Sequence, residues 1–256
     1  MRFKAIRTIG ILTALLTVFC YANTAGAQDF VTDGLVAVYT LNEADIDGKV
    51  VKDIFGGNDA ELVGNLKSVE GATDATGEAL EFEGEAESFV QIPELGEYEF
   101  VSIECYALEA QFSGIQGIVS TWMWEAGKVH FKFEGNQIQV HKNDGVKITM
   151  NAETDTWYHI IYTSNTKDNE LKLYVDGELV AEGNAGTTPE LMNERRIGSE
   201  HNGRYLIGMI DNVRIYDRIL EEDEVKQNFE SKSDQLPVEP AGKLSTTWGH
   251  LKGLRN

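Results

Sequence analysis

Apolar residues in this chain alternate with polar ones over short runs, and that period of two decides most of what the chain can become. Runs rich in β-branched and aromatic residues lie near residues 35–41, 61–63, 79–82, 89–92, 101–108, 118–122, 129–133, 137–141, 147–150, 157–163, 171–175, 179–182, 196–198 and 206–216, with turn residues between them. Alternation puts every second side chain on one face of a strand, whereas an amphipathic helix needs a period near 3.6. No long helical pattern separates one run from the next, which argues against βαβ units and for an all-β chain. The single helical candidate is EEDEVKQNF, residues 221–229, where Val225 and Phe229 are four apart and acids crowd the first turn. Its apolar stripe is narrow, which places it on the surface of a sheet.

Two stretches read as hairpins, and the second can be registered residue by residue. In KLYVDGEL, residues 172–179, the strand alternates Lys172, Leu173, Tyr174 and Val175, and Asp176-Gly177 forms a tight turn before a second run. In VHFKFEGNQIQV a turn at Gly135-Asn136 pairs Glu134 with Gln137, Phe133 with Ile138, Lys132 with Gln139, Phe131 with Val140 and His130 with His141. The aromatic and aliphatic pairs then share the buried face, and His130, Lys132, Gln139 and His141 share the other.

Residues 1–27 read as a secretory leader. Arg2, Lys4 and Arg7 form a basic end, 9–21 an apolar run, and Ala25-Gly26-Ala27 a small-residue cleavage site before Gln28. The apolar run is about 13 residues against the roughly 20 a spanning helix needs, so the mature chain is expected to have no membrane span. Cleavage removes those three basic residues and no acid, which takes the formal charge from −20 to −23. Nucleic acid and anionic membranes are therefore set aside as partners. Cys105 is the cysteine that remains, on the apolar face of VSIECYAL, and reads as a buried structural thiol. The expected organisation is a leader over 1–27, one all-β domain over 28–232 and a flexible tail over 233–256, where Pro237 and Pro240 stand.

Several stretches follow one another in a telling order: GLVAVYTLNEADIDGKVVKDIFGGNDAELVGN, GEALEFEGEAESFVQIP, SIECYAL, TWYHIIYTSN with LKLYVDGELVAEG, and RIGSEHNGRYLIGMIDNVRIYDRILEEDEVKQNF. Together they resemble a laminin-G-like domain of the concanavalin A-like lectin and glucanase superfamily, of the type common in secreted bacterial proteins. The resemblance implies a two-sheet antiparallel jelly-roll sandwich with one short C-terminal surface helix. Strand number and alternation point the same way.

Glycan-cleaving members of such a superfamily need positioned groups, usually two carboxylates flanking the scissile bond. Glu83, Glu85 and Glu87 are the nearest set, but Gly84 and Ala86 interrupt the strand pattern, and a solvated acidic turn is the better reading. His159 shares a strand face with Trp157 and Ile161 and reads as a hydrogen-bonded structural histidine. Hard oxygen ligands gather in DIFGGND, where Asp53, Asn58, Asp59 and the carbonyls of Gly56 and Gly57 suit Ca²⁺. The resemblance implies that this loop approaches the last strand, where Asp211 stands. A structural calcium held by Asp53, Gly56, Asn58 and Asp211 is expected, against the plainer alternative of a turn with an aspartate bonded to backbone.

A ligand surface is expected from Trp122 and Trp124 of STWMWEAG together with His130, Lys132, Gln139 and His141. Indole rings stack on sugar C–H faces, and the polar groups bond hydroxyls; the alternative is that both indoles face the core. The function these features favour is non-catalytic recognition of a glycan or a cell-surface protein outside the cell. A structural component of the cell surface, or a glycan-cleaving enzyme of the same fold, are the alternatives, and fold alone does not separate them.

Overall fold

The computed structural model describes residues 29–85, 87–121, 123–200, 203–231 and 233–236. The leader, Trp122 and residues 237–256 lie outside the described residues. The first layer is one large sheet built on β9 (Phe100–Glu109). On one side of β9 lie β15 (Tyr158–Asn165), β16 (Glu170–Val175) and β17 (Glu178–Gly183). On the other lie β20 (Ile207–Tyr216), β6 (Glu78–Glu83) and β5 (Lys67–Glu70), with β1 (Leu35–Tyr39) also pairing β20.

The second layer joins two smaller sheets. One is ordered β10 (Ile115–Gly117), β12 (Val129–Glu134), β13 (Gln137–Lys142) and β14 (Lys147–Asn151). The other is ordered β11 (Val119–Thr121), β19 (Arg195–Ile197), β7 (Phe89–Gln91), β4 (Ala60–Val63), β3 (Val50–Val51) and β2 (Ile46–Asp47). They meet where the Ile118 N–H donates to Phe131 O at 2.9 Å and the Thr121 hydroxyl to Val129 O at 2.9 Å. A small pair, β8 (Glu97–Tyr98) with β18 (Glu190–Leu191), completes an antiparallel jelly roll.

Alternation works as expected. Ile103, Cys105 and Ala107 of β9, Ile160 and Tyr162 of β15, and Leu171 and Leu173 of β16 face Phe131, Phe133, Ile138 and Val140 across one buried core. Of the two hairpins, that at 129–142 adopts its expected register: His130 pairs His141, Phe131 pairs Val140, Lys132 pairs Gln139 and Phe133 pairs Ile138. In the other, Val175 pairs Glu178 across Asp176 and Gly177, whose φ values of 52° and 82° are those a tight primed turn requires.

Inside the sandwich the Arg195 guanidinium donates to Glu190 Oε1 at 2.6 Å and to Val119 O at 3.1 Å, and the Tyr162 hydroxyl donates to Glu190 Oε1 at 2.5 Å. All three side chains are buried, so this ion pair ties the layers at the cost of desolvation.

The helix α1 (Glu222–Ser231) lies on the outer face of the first sheet, where Val225 packs with Phe30, Val31, Ile161, Tyr174 and Tyr216. Beneath it the Glu104 carboxylate accepts from Arg214 Nη1 at 2.6 Å, from Asn228 Nδ2 at 2.6 Å and from the Tyr216 hydroxyl at 3.3 Å, and meets His159 Nε2 at 2.9 Å. Burial pushes its pKa up, but Arg214 and His159 outweigh this and hold it near about 2. His159 is thus the hydrogen-bonded structural residue expected, and Cys105 is a free, buried thiol whose pKa burial raises well above its ordinary value.

One boundary needs correction. The flexible tail was expected from residue 233, yet the Asn42 amide donates to Asp234 Oδ2 at 2.6 Å, Arg214 bonds Ser233 O, and Leu236 packs on the cluster under α1. The folded domain therefore extends through Leu236.

Candidate functional site

The polar face of the β12–β13 hairpin is where the sequence places a ligand surface, and its four residues do come together. They do not form an open patch. His130 is 0%, Lys132 2% and Gln139 2% exposed, and only His141 is half-buried. The cause is Gly117, which pairs Lys132 from β10: a Cβ there would lie 2.1 Å from the Glu200 backbone nitrogen, so the missing side chain lets the chain at Ser199 and Glu200 settle directly on the sheet.

Glu200 is the centre of the cluster. Its carboxylate is fully buried, with Oε1 at 3.1 Å from His130 Nδ1 and bonded to Arg204 Nη1, and Oε2 at 3.8 Å from Lys132 Nζ. Burial alone would raise its pKa, but the His130 bond and the Lys132 charge bring it below the ordinary value. Lys132 also reaches Glu134 at 3.2 Å. Trp124 lies over this group, stacked on His130 at a centroid distance of 4.0 Å and edge-on to His141 at 5.4 Å, with the Lys132 ammonium 5.5 Å and the Arg204 guanidinium 5.9 Å from its ring. More than half of Trp124, 53%, remains open to solvent. Its indole does not face the core.

The His141 pKa is lowered by its burial and by its neighbours His130, Lys132 and Lys147. The arrangement therefore presents a rigid aromatic surface and a neutral imidazole, backed by a buried carboxylate whose charge is met by cations. Stacking and hydrogen bonding to a ring of hydroxyls is chemistry it can perform. Glu200 and Arg204 escaped sequence reasoning because EHNGR reads as a charged turn, and nothing local tells that this turn folds onto a sheet.

The calcium set does not assemble as expected. Asp53 Oδ1 accepts from the backbone N–H of Val38 at 2.8 Å, Phe55 at 3.0 Å and Gly56 at 3.1 Å; Oδ2 accepts from the Asn58 N–H at 2.9 Å and Asn58 Nδ2 at 3.2 Å. A carboxylate has about four lone-pair sites, and donors aimed at all of them leave none for a cation. Asn58 turns its amide to Val36 O at 3.1 Å, and Gly56 is a glycine because a Cβ would lie 2.0 Å from that same oxygen. This loop is thus the backbone-bonded turn, and Asp53, Gly56 and Asn58 do not fit calcium.

Asp211 differs. Its partners come from the loop at 71–77 rather than from 53–59: Oδ2 accepts from the Ala72 N–H at 2.9 Å, while the buried Oδ1 has no hydrogen-bond partner among the described residues. Burial, with Asp234 adding, pushes its pKa up to about 7 against the opposing bonds from Ala72 and Thr76. One orphaned oxygen falls well short of the roughly 6 to 8 oxygen ligands that calcium takes. Among the described residues no group of three or more His, Cys, Asp or Glu side chains is arranged to hold a metal ion. Of the acidic turn, Glu83 pairs with the exposed Lys67.

Residues 105–226 match the family model Laminin_G_3, described as the concanavalin A-like lectin/glucanases superfamily, so the resemblance read from the sequence is borne out over that stretch. No curated protein sequence matches the chain. Among solved structures, domain 4 of AbnA, a GH43 extracellular arabinanase from Geobacillus stearothermophilus in complex with arabinotriose, is similar at a TM-score of 0.60 and 16% identity, over 76% of this chain and 97% of that domain. A Trypanosoma rangeli sialidase in complex with 2,3-difluorosialic acid is similar at 0.58 and 18%, over 79% of this chain and 34% of the sialidase. The receptor binding domain of a botulinum neurotoxin C/D mosaic serotype is similar at 0.59 and 14%, over 77% and 51%. The chain spans about a third of the sialidase's length, and identities this low show a shared fold alone.

Proposed function

We propose that this protein is a non-catalytic recognition module that holds a glycan outside the cell, with Trp124 as the stacking platform and His141 beside it. The observation that carries the reading is the exposed Trp124 ring, held over the buried His130–Glu200–Lys132–Arg204 cluster. The open half of the Trp124 ring adds nothing to folding and sits on a rigid polar base, which fits a binding role. The arabinotriose complex of the AbnA domain, nearly the whole of which this chain matches in fold, supports a carbohydrate ligand. Cell exit rests on the leader-like residues 1–27.

Catalysis is disfavoured by the state of the carboxylate at the site. Glu200 is buried and neutralised by cations, whereas glycoside hydrolysis asks for two carboxyl groups about 5 to 10 Å apart on either side of an open scissile bond.

A glycan array read with and without calcium, followed by a reducing-end assay on each glycan bound, tests the proposal. Binding without product formation is the expected result. Product formation, or an array blank under both conditions, would overturn it.

A further inference from the structure

A second buried carboxyl group lies at the end of the sandwich that supports the Trp124 site. Glu109 closes β9 and is 1% exposed. Its Oε1 accepts from Gln116 Nε2, and its Oε2 is buried without a partner among the described residues. The same Gln116 amide donates to Gln111 O at 2.7 Å and accepts the Ile207 N–H at 2.6 Å, so one side chain joins β9, the loop at 110–114, β10 and β20. The next residue is Gly117, which pairs Lys132 and carries the Glu200 backbone. Glu109 is therefore one hydrogen bond and one residue away from the floor of the ligand site.

Among the described residues, the charged groups around it do not compensate a negative charge. Asp155 donates its backbone N–H to Glu109 O at 2.9 Å, Glu134 stands across β10 opposite Ile115, and Glu83 across β20 opposite Ile207. The nearby cation, Arg204, which accepts the Gly117 N–H on its carbonyl, commits its guanidinium to Glu200. An ionised carboxylate enclosed without a cation is costly enough that such a group stays protonated or moves out to water.

We propose that Glu109 is a protonated latch: neutral while Gln116 holds the 110–116 segment closed, and ionised as that segment lets go, so that alkaline pH loosens the sheet end beneath Glu200 and weakens binding at Trp124. The last consequence rests on the glycan-binding reading; the latch itself does not. Burial pushes the Glu109 pKa up to about 8, which sets the sign. A raised folded-state pKa means the contribution is whole in acid and is lost as pH rises through about 8.

The test is amide hydrogen exchange of residues 110–117, corrected for intrinsic rate, alongside glycan affinity, between about pH 6 and about pH 9.5 in the wild type and in Glu109→Gln. Gln copies the neutral acid, so the variant should keep protection and affinity flat, while the wild type loses about tenfold in protection above about pH 8 and loses affinity in parallel. Superimposable wild-type and variant profiles overturn the latch. Should the variant fail to fold, carbon-13 carboxyl NMR of the wild type decides, because a Glu109 titration near the ordinary value of about 4.3 overturns it equally. Exchange that steps with pH in a protein that binds no glycan supports the latch and removes the ligand reading instead.

Discussion

Replacing Trp124 by alanine separates a binding surface from a packing residue, because the two roles predict opposite balances of stability and affinity. A wholly buried indole removes about 150 to 250 Å² from water. With 53% of Trp124 exposed, roughly 100 Å² remains covered, against His130 and its neighbours. At about 25 cal/mol per Å² this is worth no more than about 2.5 kcal/mol, and about 1 to 2 once a compact unfolded state is allowed for. For a domain of this size the melting temperature should fall by about 2 to 8 °C. If the open surface stacks on sugar, affinity should drop by about 2 kcal/mol, close to thirtyfold, as for an aromatic hot spot, and Trp124→Phe should recover part of it. Calorimetric titration with the array-selected glycan and a parallel scanning melt measure both. Unchanged affinity in Trp124→Ala, or a stability loss beyond about 3 kcal/mol of the kind core aromatics show, would refute the reasoning.

Melts in millimolar calcium and in EDTA should coincide, because the Asp53 carboxylate is saturated by N–H donors and Asp211 supplies a single oxygen; a calcium-dependent rise that Asp211→Asn removes would contradict this. Without calcium, the raised Asp211 pKa of about 7 implies a stability contribution that is whole below about pH 4 and lost as pH climbs through 7, so a pH series of melts in EDTA should flatten in Asp211→Asn. Deleting residues 233–256 should lower the melt more than deleting 237–256, because the longer deletion removes the Asp234 bond to Asn42 and the Leu236 contact; equal melts for the two would contradict the docking of 233–236.

The polar site divides cleanly into what local pattern reveals and what it hides. The partnership of His130 with His141 and of Lys132 with Gln139 follows from one Gly-Asn turn and a period of two, and both features are local. Of the two orientations open to Trp124 from the sequence, the structure takes the one that leaves the ring exposed rather than in the core. Glu200 and Arg204 are some seventy residues further on and reach the hairpin only through the space Gly117 leaves empty. The short strands β2, β3, β5, β8 and β18 were likewise unread, because stretches such as KSVE carry little strand preference and are strands only by virtue of a neighbour's hydrogen bonds.

Fold class, hairpin registers, the surface helix and the structural character of His159 and Cys105 were determined by the sequence by itself, since each depends on periodicity or turn chemistry within a few residues. Tertiary structure alone decided which polar groups are buried and what meets them. It filled the Asp53 lone pairs with backbone donors, left an oxygen of Asp211 and of Glu109 without a partner, and covered three of the four hairpin residues. The reason is that burial and charge compensation depend on segments far apart in the chain arriving at one place, and no local pattern encodes which segment arrives.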